Sequence, residues 1–115
     1  MSERIRIDDC PDTVVVKVGG VKVAESANAK VLHEAGLGPR FYIPRADVEM
    51  SLLEPTDTST RCPYKGAAVY WSVDADGRRF EDIVWSYESP IPEAADIAGL
   101  LCFYDNKDGV EQTVG

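Results

Sequence analysis

The residues from Asp57 to Gly66, read in full as Asp57-Thr58-Ser59-Thr60-Arg61-Cys62-Pro63-Tyr64-Lys65-Gly66, hold the densest grouping of chemically active side chains in the sequence. Cys62, Tyr64 and Lys65 place a thiol, a phenol and an amine within four residues, interrupted by Pro63 and followed by Gly66. Arg61 and Lys65 would lower the thiol pKa of Cys62, and the thiolate is the nucleophilic form of cysteine. A lone cysteine more commonly behaves as a small buried hydrophobe, so the same residues also describe a rigid corner with an inert thiol. Lys65 is the second candidate reactive group, as an amine. A Cys/His pair would need His33, the one histidine, as its base; a solvent-facing strand residue is the simpler reading of His33.

Arg45 follows Pro44 at the end of an apolar run. An arginine there suits bidentate capture of a carboxylate or phosphate, or an internal ion pair with Asp47 or another acid. Tyr64, Tyr70 and Tyr87 supply phenol hydroxyls. Together with Arg45 and Lys65 they predict a polar pocket with aromatic walls, a common way to hold a small anionic or planar ligand. Asp74-x-Asp76 has half the form of a metal-binding acidic pair, and an Asp/Gly-rich hairpin turn accounts for it more simply. Cys10, Cys62, Cys102 and His33 are widely spaced, with no Cys-x-x-Cys, so no metal site and no cofactor is expected. No Gly-rich phosphate loop and no Ser-His-Asp arrangement is present.

These residues must be positioned by a small scaffold. The chain has 115 residues, 44% hydrophobic and 28% charged, which suits one domain with a single hydrophobic core. Its net charge of −8, from 20 acids against 12 bases, disfavours a nucleic-acid partner. Three unpaired cysteines and an N-terminus without an apolar leader point to the cytoplasm. No apolar run reaches the length of a membrane span.

Residues 13–25 predict a β-hairpin turning at Gly19-Gly20, pairing Val18 with Val21 and Val16 with Val23. Lys17 and Lys22 then face each other on the solvated side. Further strands are expected at 29–34, 41–43, 67–73, 78–87 and 100–104. One or two helical turns fit 45–54, ended by Glu54-Pro55-Thr56-Asp57, and a short helix fits 92–98 with Pro92 in its first turn and Gly99 after it. Residues 57–66 read as a loop, and 105–115 as a frayed tail. Ala67, Val69, Trp71 and Val73 alternate with Ala68, Tyr70 and Ser72. The strand 78–87 carries apolar residues on both faces, the mark of a central strand. Strands at this spacing predict a mainly β single domain of antiparallel strands, as a small barrel, a sandwich or a β-tent.

Several ordered motifs sharpen this. Pro44-Arg45-x-Asp47-Val48, Leu53-x-Pro55-x-Asp57, Thr60-x-Cys62-Pro63-Tyr64-Lys65-Gly66, Tyr70-Trp71-Ser72-Val73, Trp85-Ser86-Tyr87 and Ala95-Asp96-Ile97-Ala98-Gly99 resemble the domain of unknown function 427 family. The resemblance runs from about Val14 to Tyr104. It implies a small cytosolic protein with a compact, mainly β, β-tent-like fold. Some catalogues give the family a nucleotidyltransferase label, yet the Gly-Ser pair and following metal-binding acids of such transferases are missing here. Relatives often carry a histidine near Ser59 or Arg61 and an aromatic, acidic stretch after the last strand. This sequence has neither.

Three functions follow as expectations. A binding module would hold a small anionic molecule between Arg45, Tyr64, Lys65, Tyr70 and Tyr87. An enzyme would use Cys62 or Lys65. An assembly protein would use its surface, with a homodimer as one form.

Overall fold

A computed structural model describes residues 5–115. The N-terminal stretch read for a leader begins in residues 1–4, which lie outside the described residues. The described chain is mainly β, with ten strands: β1 (Ile5–Asp9), β2 (Val14–Val18), β3 (Val21–Ser26), β4 (Lys30–Glu34), β5 (Arg40–Ile43), β6 (Leu53–Cys62), β7 (Gly66–Ala75), β8 (Arg78–Ser86), β9 (Leu101–Phe103) and β10 (Val110–Val114). Short 3₁₀ segments lie at Arg45–Asp47, Met50–Leu52 and Pro92–Ile97. The strands form two antiparallel sheets. The larger has the order β1-β4-β5-β9-β8-β7-β6 and the smaller β10-β2-β3.

Two apolar layers hold this arrangement together. Between the sheets, Val14, Val16, Val18 and Val23 pack against Ile43, Trp71, Val73, Phe80, Val84, Leu101 and Phe103. On the other face of the large sheet, Leu32, Tyr42, Tyr70, Trp85, Tyr87 and Cys102 form a second cluster with Ala94 and Ile97 of the last 3₁₀ segment. Strand β8 lies between β9 and β7, and Ile83 through Ser86 are all buried. Its apolar residues fall on both faces because it serves both clusters.

The hairpin 13–25 forms, with Val18 opposite Val21 and Lys17 opposite Lys22. Its register then departs from the expected one, since Val16 pairs with Ala24. A bulge takes up the extra residue, and Val23 and Ala24 are both buried as a result. The 45–50 segment accounts for it: Ala24 bridges Val48, and the Glu49 N–H donates to the Val23 carbonyl at 2.8 Å.

Three other expectations are corrected. Residues 57–62 continue strand β6 rather than a loop, and only Pro63–Lys65 turn. Pro55 sits on a sheet edge, where its missing N–H costs no ladder bond. Residues 56–58 bulge out between the pairs Pro55–Trp71 and Ser59–Val69. Ala67 and Val69 keep their alternation but are exposed, since on their face the inter-sheet cluster covers only the later part of β7 while Ala68 and Tyr70 bury into the second cluster. The tail is not frayed over 110–114: β10 pairs with β2 along its whole length, from Val110–Val18 to Val114–Val14. Its polar sequence hid an edge strand, which needs only one inward apolar residue, here Val110.

Candidate functional site

Strand register builds the site. Tyr42 of β5 pairs with Cys102 of β9, Cys102 pairs with Trp85 of β8, and Trp85 pairs with Tyr70 of β7. Directly paired residues point to the same face, so these four form one row across the sheet, in the second cluster. Arg40 pairs with Leu32 of the same cluster and joins that face from β5. Glu34, two residues beyond Leu32, follows by the two-residue alternation.

Lys65 reaches this face through its turn. The Lys65 N–H donates to the Cys62 carbonyl at 3.2 Å, and the Ile91 N–H donates to the Lys65 carbonyl at 2.9 Å. Gly66 has φ 125°, and a Cβ there would stand 3.2 Å from the Pro90 Cα. Only glycine lets the corner press against the 89–91 backbone, and that contact turns Lys65 inward. Its ammonium donates to a carboxylate oxygen of Glu34. Both side chains are 11% exposed, so this is a largely buried ion pair.

The result is a cleft of about 180 Å³. Tyr42, Tyr70, Trp85, Tyr87 and Tyr104 make its aromatic walls, Lys65 and Glu34 lie within it, and Arg40, Leu37 and Gly38 complete the lining. Trp85 and Tyr104 rings are 4.6 Å apart between centroids, and the Arg40 guanidinium stands 5.4 Å from the Trp85 centroid. The Lys65 ammonium lies 6.0 Å from the centre of the Tyr87 ring. Polar contacts fix the walls. The Trp85 indole N–H donates to the Tyr42 hydroxyl at 3.2 Å, and the Tyr70 and Thr60 hydroxyls are 2.9 Å apart.

The electrostatics follow from burial. Desolvation raises the pKa of Tyr42, Tyr87 and Tyr104 above the ordinary phenol value, so these hydroxyls stay neutral at physiological pH and can donate to an anion. Burial likewise pushes the Cys102 thiol up, leaving it a poor nucleophile.

Of the residues singled out from the sequence, Lys65, Tyr70 and Tyr87 meet in this cleft, while Arg45 and Tyr64 are not among its lining residues. Arg45 lies over Trp71, which belongs to the inter-sheet cluster, 5.3 Å from its ring centroid. Its Nη2 reaches both Glu88 carboxylate oxygens at 3.3 Å. That is the internal ion pair, with Glu88 in place of Asp47, which instead accepts from the Ser26 hydroxyl at 2.7 Å. Tyr64 is exposed on the turn. Cys62 is half-buried against the second cluster, and Pro63 is exposed. His33 faces Asp8 across β1, with Nε2 3.8 Å from its carboxylate, on the opposite side of β4 from Glu34.

Arg40, Glu34, Tyr42, Trp85 and Tyr104 join the cleft without having been singled out as site residues. Their signal was register: once β4, β5, β9 and β8 are aligned, these side chains converge, though they lie far apart in the sequence. A larger groove of about 310 Å³ between β3 and residues 46–49 includes Lys22, Glu25, Asp47 and Glu49 in its lining. It has no aromatic wall, and acids outnumber its one base, so it suits an anionic ligand poorly. Among the described residues, no group of three or more His, Cys, Asp or Glu side chains is placed to hold a metal ion. No described helix is long and apolar enough to cross a membrane.

Comparison with known proteins agrees with the motif reading. The family model described as Domain of unknown function (DUF427) matches residues 6–114, including β10. No curated protein matches the chain.

Proposed function

For this chain, which belongs to the DUF427 family, we propose a binding function, with the cleft between β5, β9, β8 and β7 holding one small planar or anionic ligand. The observation that carries this reading is the convergence of five aromatic side chains with Arg40 and the Lys65–Glu34 pair on one cleft. Aromatic walls favour a flat ligand, and neutral phenols and a guanidinium favour a negative or acceptor-rich edge. At about 180 Å³ the cleft is smaller than most ligand pockets, which begin near 300 Å³. A cavity of about 150 Å³ is enough for one benzene ring. A nucleoside triphosphate is therefore a poor fit, and the reading is of a binding site for a compact molecule.

The enzyme reading has less support. Lys65 is already engaged with Glu34 in a largely buried pair, which occupies the group a nucleophilic amine would have to offer. Cys62 is not among the cleft-lining residues. Assembly is a second reading, supported by Val69 and Tyr64, each 38% exposed outside the cleft. Light scattering across a concentration series tests it.

Thermal melting of the full chain against single-ring carboxylates, amides and phenols, with nucleotides as controls, tests the binding reading. At least one single-ring compound should raise the melting temperature, and Tyr87→Ala should abolish the rise. No stabilisation by any of them would overturn the reading.

A further inference from the structure

Resting on that reading, we propose that the ligand class is a single-ring aromatic carboxylate, and that Arg40 selects it by exchanging Asp105 for the ligand's carboxylate. The inference comes from how the cations near the aromatic layers are held. Lys65 is engaged by Glu34 inside the cleft, and Arg45, outside it, faces both oxygens of Glu88. Arg40 is held loosely: its Nη1 reaches one Asp105 oxygen at 3.5 Å, beyond the usual range for a charge-assisted bond. Among the described residues, Asp105 is its one side-chain hydrogen-bond acceptor. Arg40 and Asp105 side chains are 36% and 42% exposed. Asp105 can thus turn to solvent at little cost, since exposed ion pairs contribute about 0–1 kcal/mol.

A guanidinium offers parallel N–H donors that match a planar carboxylate bidentately. Arg40 also lies over the Trp85 ring, so a carboxylate bound there carries its ring against the aromatic walls. Charge balance decides between carboxylate and phosphate. Lys65 and Glu34 offset each other within the cleft, so Arg40 is the one cation left for exchange and the site carries a single net positive charge. A monoanion is accommodated and a dianion is opposed. At about 180 Å³ the cleft suits one ring better than fused or nucleotide-sized groups.

Calorimetric titration of the full chain with benzoate, benzamide and phenyl phosphate tests this, using Arg40→Gln, Asp105→Asn and, as a control outside the cleft, Arg45→Gln. Benzoate should bind best. Arg40→Gln should weaken it at least tenfold, Asp105→Asn should tighten it severalfold, and Arg45→Gln should leave it unchanged. Benzamide or phenyl phosphate binding as tightly as benzoate, or benzoate binding unaffected by Arg40→Gln, would overturn the carboxylate inference while the cleft reading stood. Heat from none of the three compounds would overturn both. Should Arg40→Gln not fold, as melting would show, Asp105→Asn decides alone: unchanged or weaker benzoate binding would overturn the exchange.

Discussion

Lys65 and Glu34 face each other across the cleft, one from the β6–β7 turn and the other from the end of β4, each with 11% of its side chain exposed. The pair joins two distant parts of the large sheet. Removing one partner leaves the other as an uncompensated, largely buried charge. Glu34→Gln should therefore destabilise the fold by roughly 3 kcal/mol. The double variant Glu34→Leu with Lys65→Met should recover much of that loss, because no charge is then stranded. Urea unfolding of the two variants checks this. A double variant no more stable than Glu34→Gln would contradict it.

Asp82 gives a pH-dependent prediction. Its carboxylate accepts from the Thr56 and Thr58 hydroxyls, both at 2.6 Å, and these bonds lower its pKa below the ordinary value. A carboxyl with a depressed folded-state pKa adds stability above its unfolded value, about 3.9. That stability is lost as the pH falls through the folded value. Asp82→Asn is a suitable probe, because Asp82 has φ 52° and asparagine tolerates that left-handed conformation. The variant should melt below the parent at pH 7, and the gap should close as the pH drops below about 4. A gap of the same size at both pH values would contradict the assignment.

Gly109 tests whether the C-terminal strand is integral. Its φ is 87°, and a Cβ there would stand 2.6 Å from Phe80 Cε2. Gly109→Ala must strain the backbone by about 1–2 kcal/mol and displace a core phenylalanine as well. The control Gly20→Ala has φ 84° but nothing within 4 Å, so it incurs the backbone cost alone. Chemical denaturation should rank Gly109→Ala as the less stable of the two. Equal losses would mean that β10 and its turn do not pack against Phe80.

Thiol accessibility separates the three cysteines. Cys10 and Cys102 are buried and Cys62 is half-buried. Labelling of the native protein with a disulfide reagent should modify Cys62 first, and Cys62→Ser should remove the fast phase. A fast phase that survives this substitution would contradict the burial assigned to the other two.

Much of the scaffold was legible in the sequence, and the reasons are local. Period-two alternation marked β2 and β7, Gly19-Gly20 marked the first hairpin, and the two-faced apolar pattern marked β8 as central. What escaped were features set by contacts between distant segments. The shift of Val16 from Val23 to Ala24 depends on the packing of 45–50 against β3. The edge strands β6 and β10 read as loop and tail because an edge needs few apolar residues. The site was half visible: Lys65, Tyr70 and Tyr87 stood out by type. Arg45 stood out equally and lies over the other cluster, whereas Arg40 takes the place in the cleft. Nothing in the residue types separates the two arginines. The pairing of Arg40 with Leu32 does, and pairing is a long-range property.

The side-chain indole N–H of Trp85 tests the central claim most directly, since it sits in the cleft wall bonded to Tyr42, while the other tryptophan, Trp71, lies under Arg45. In an NMR titration of the full chain with benzoate, the Trp85 indole resonance should shift saturably and that of Trp71 should stay in place. A saturable shift at Trp71 alone, or at neither tryptophan, would contradict a ligand site in the cleft.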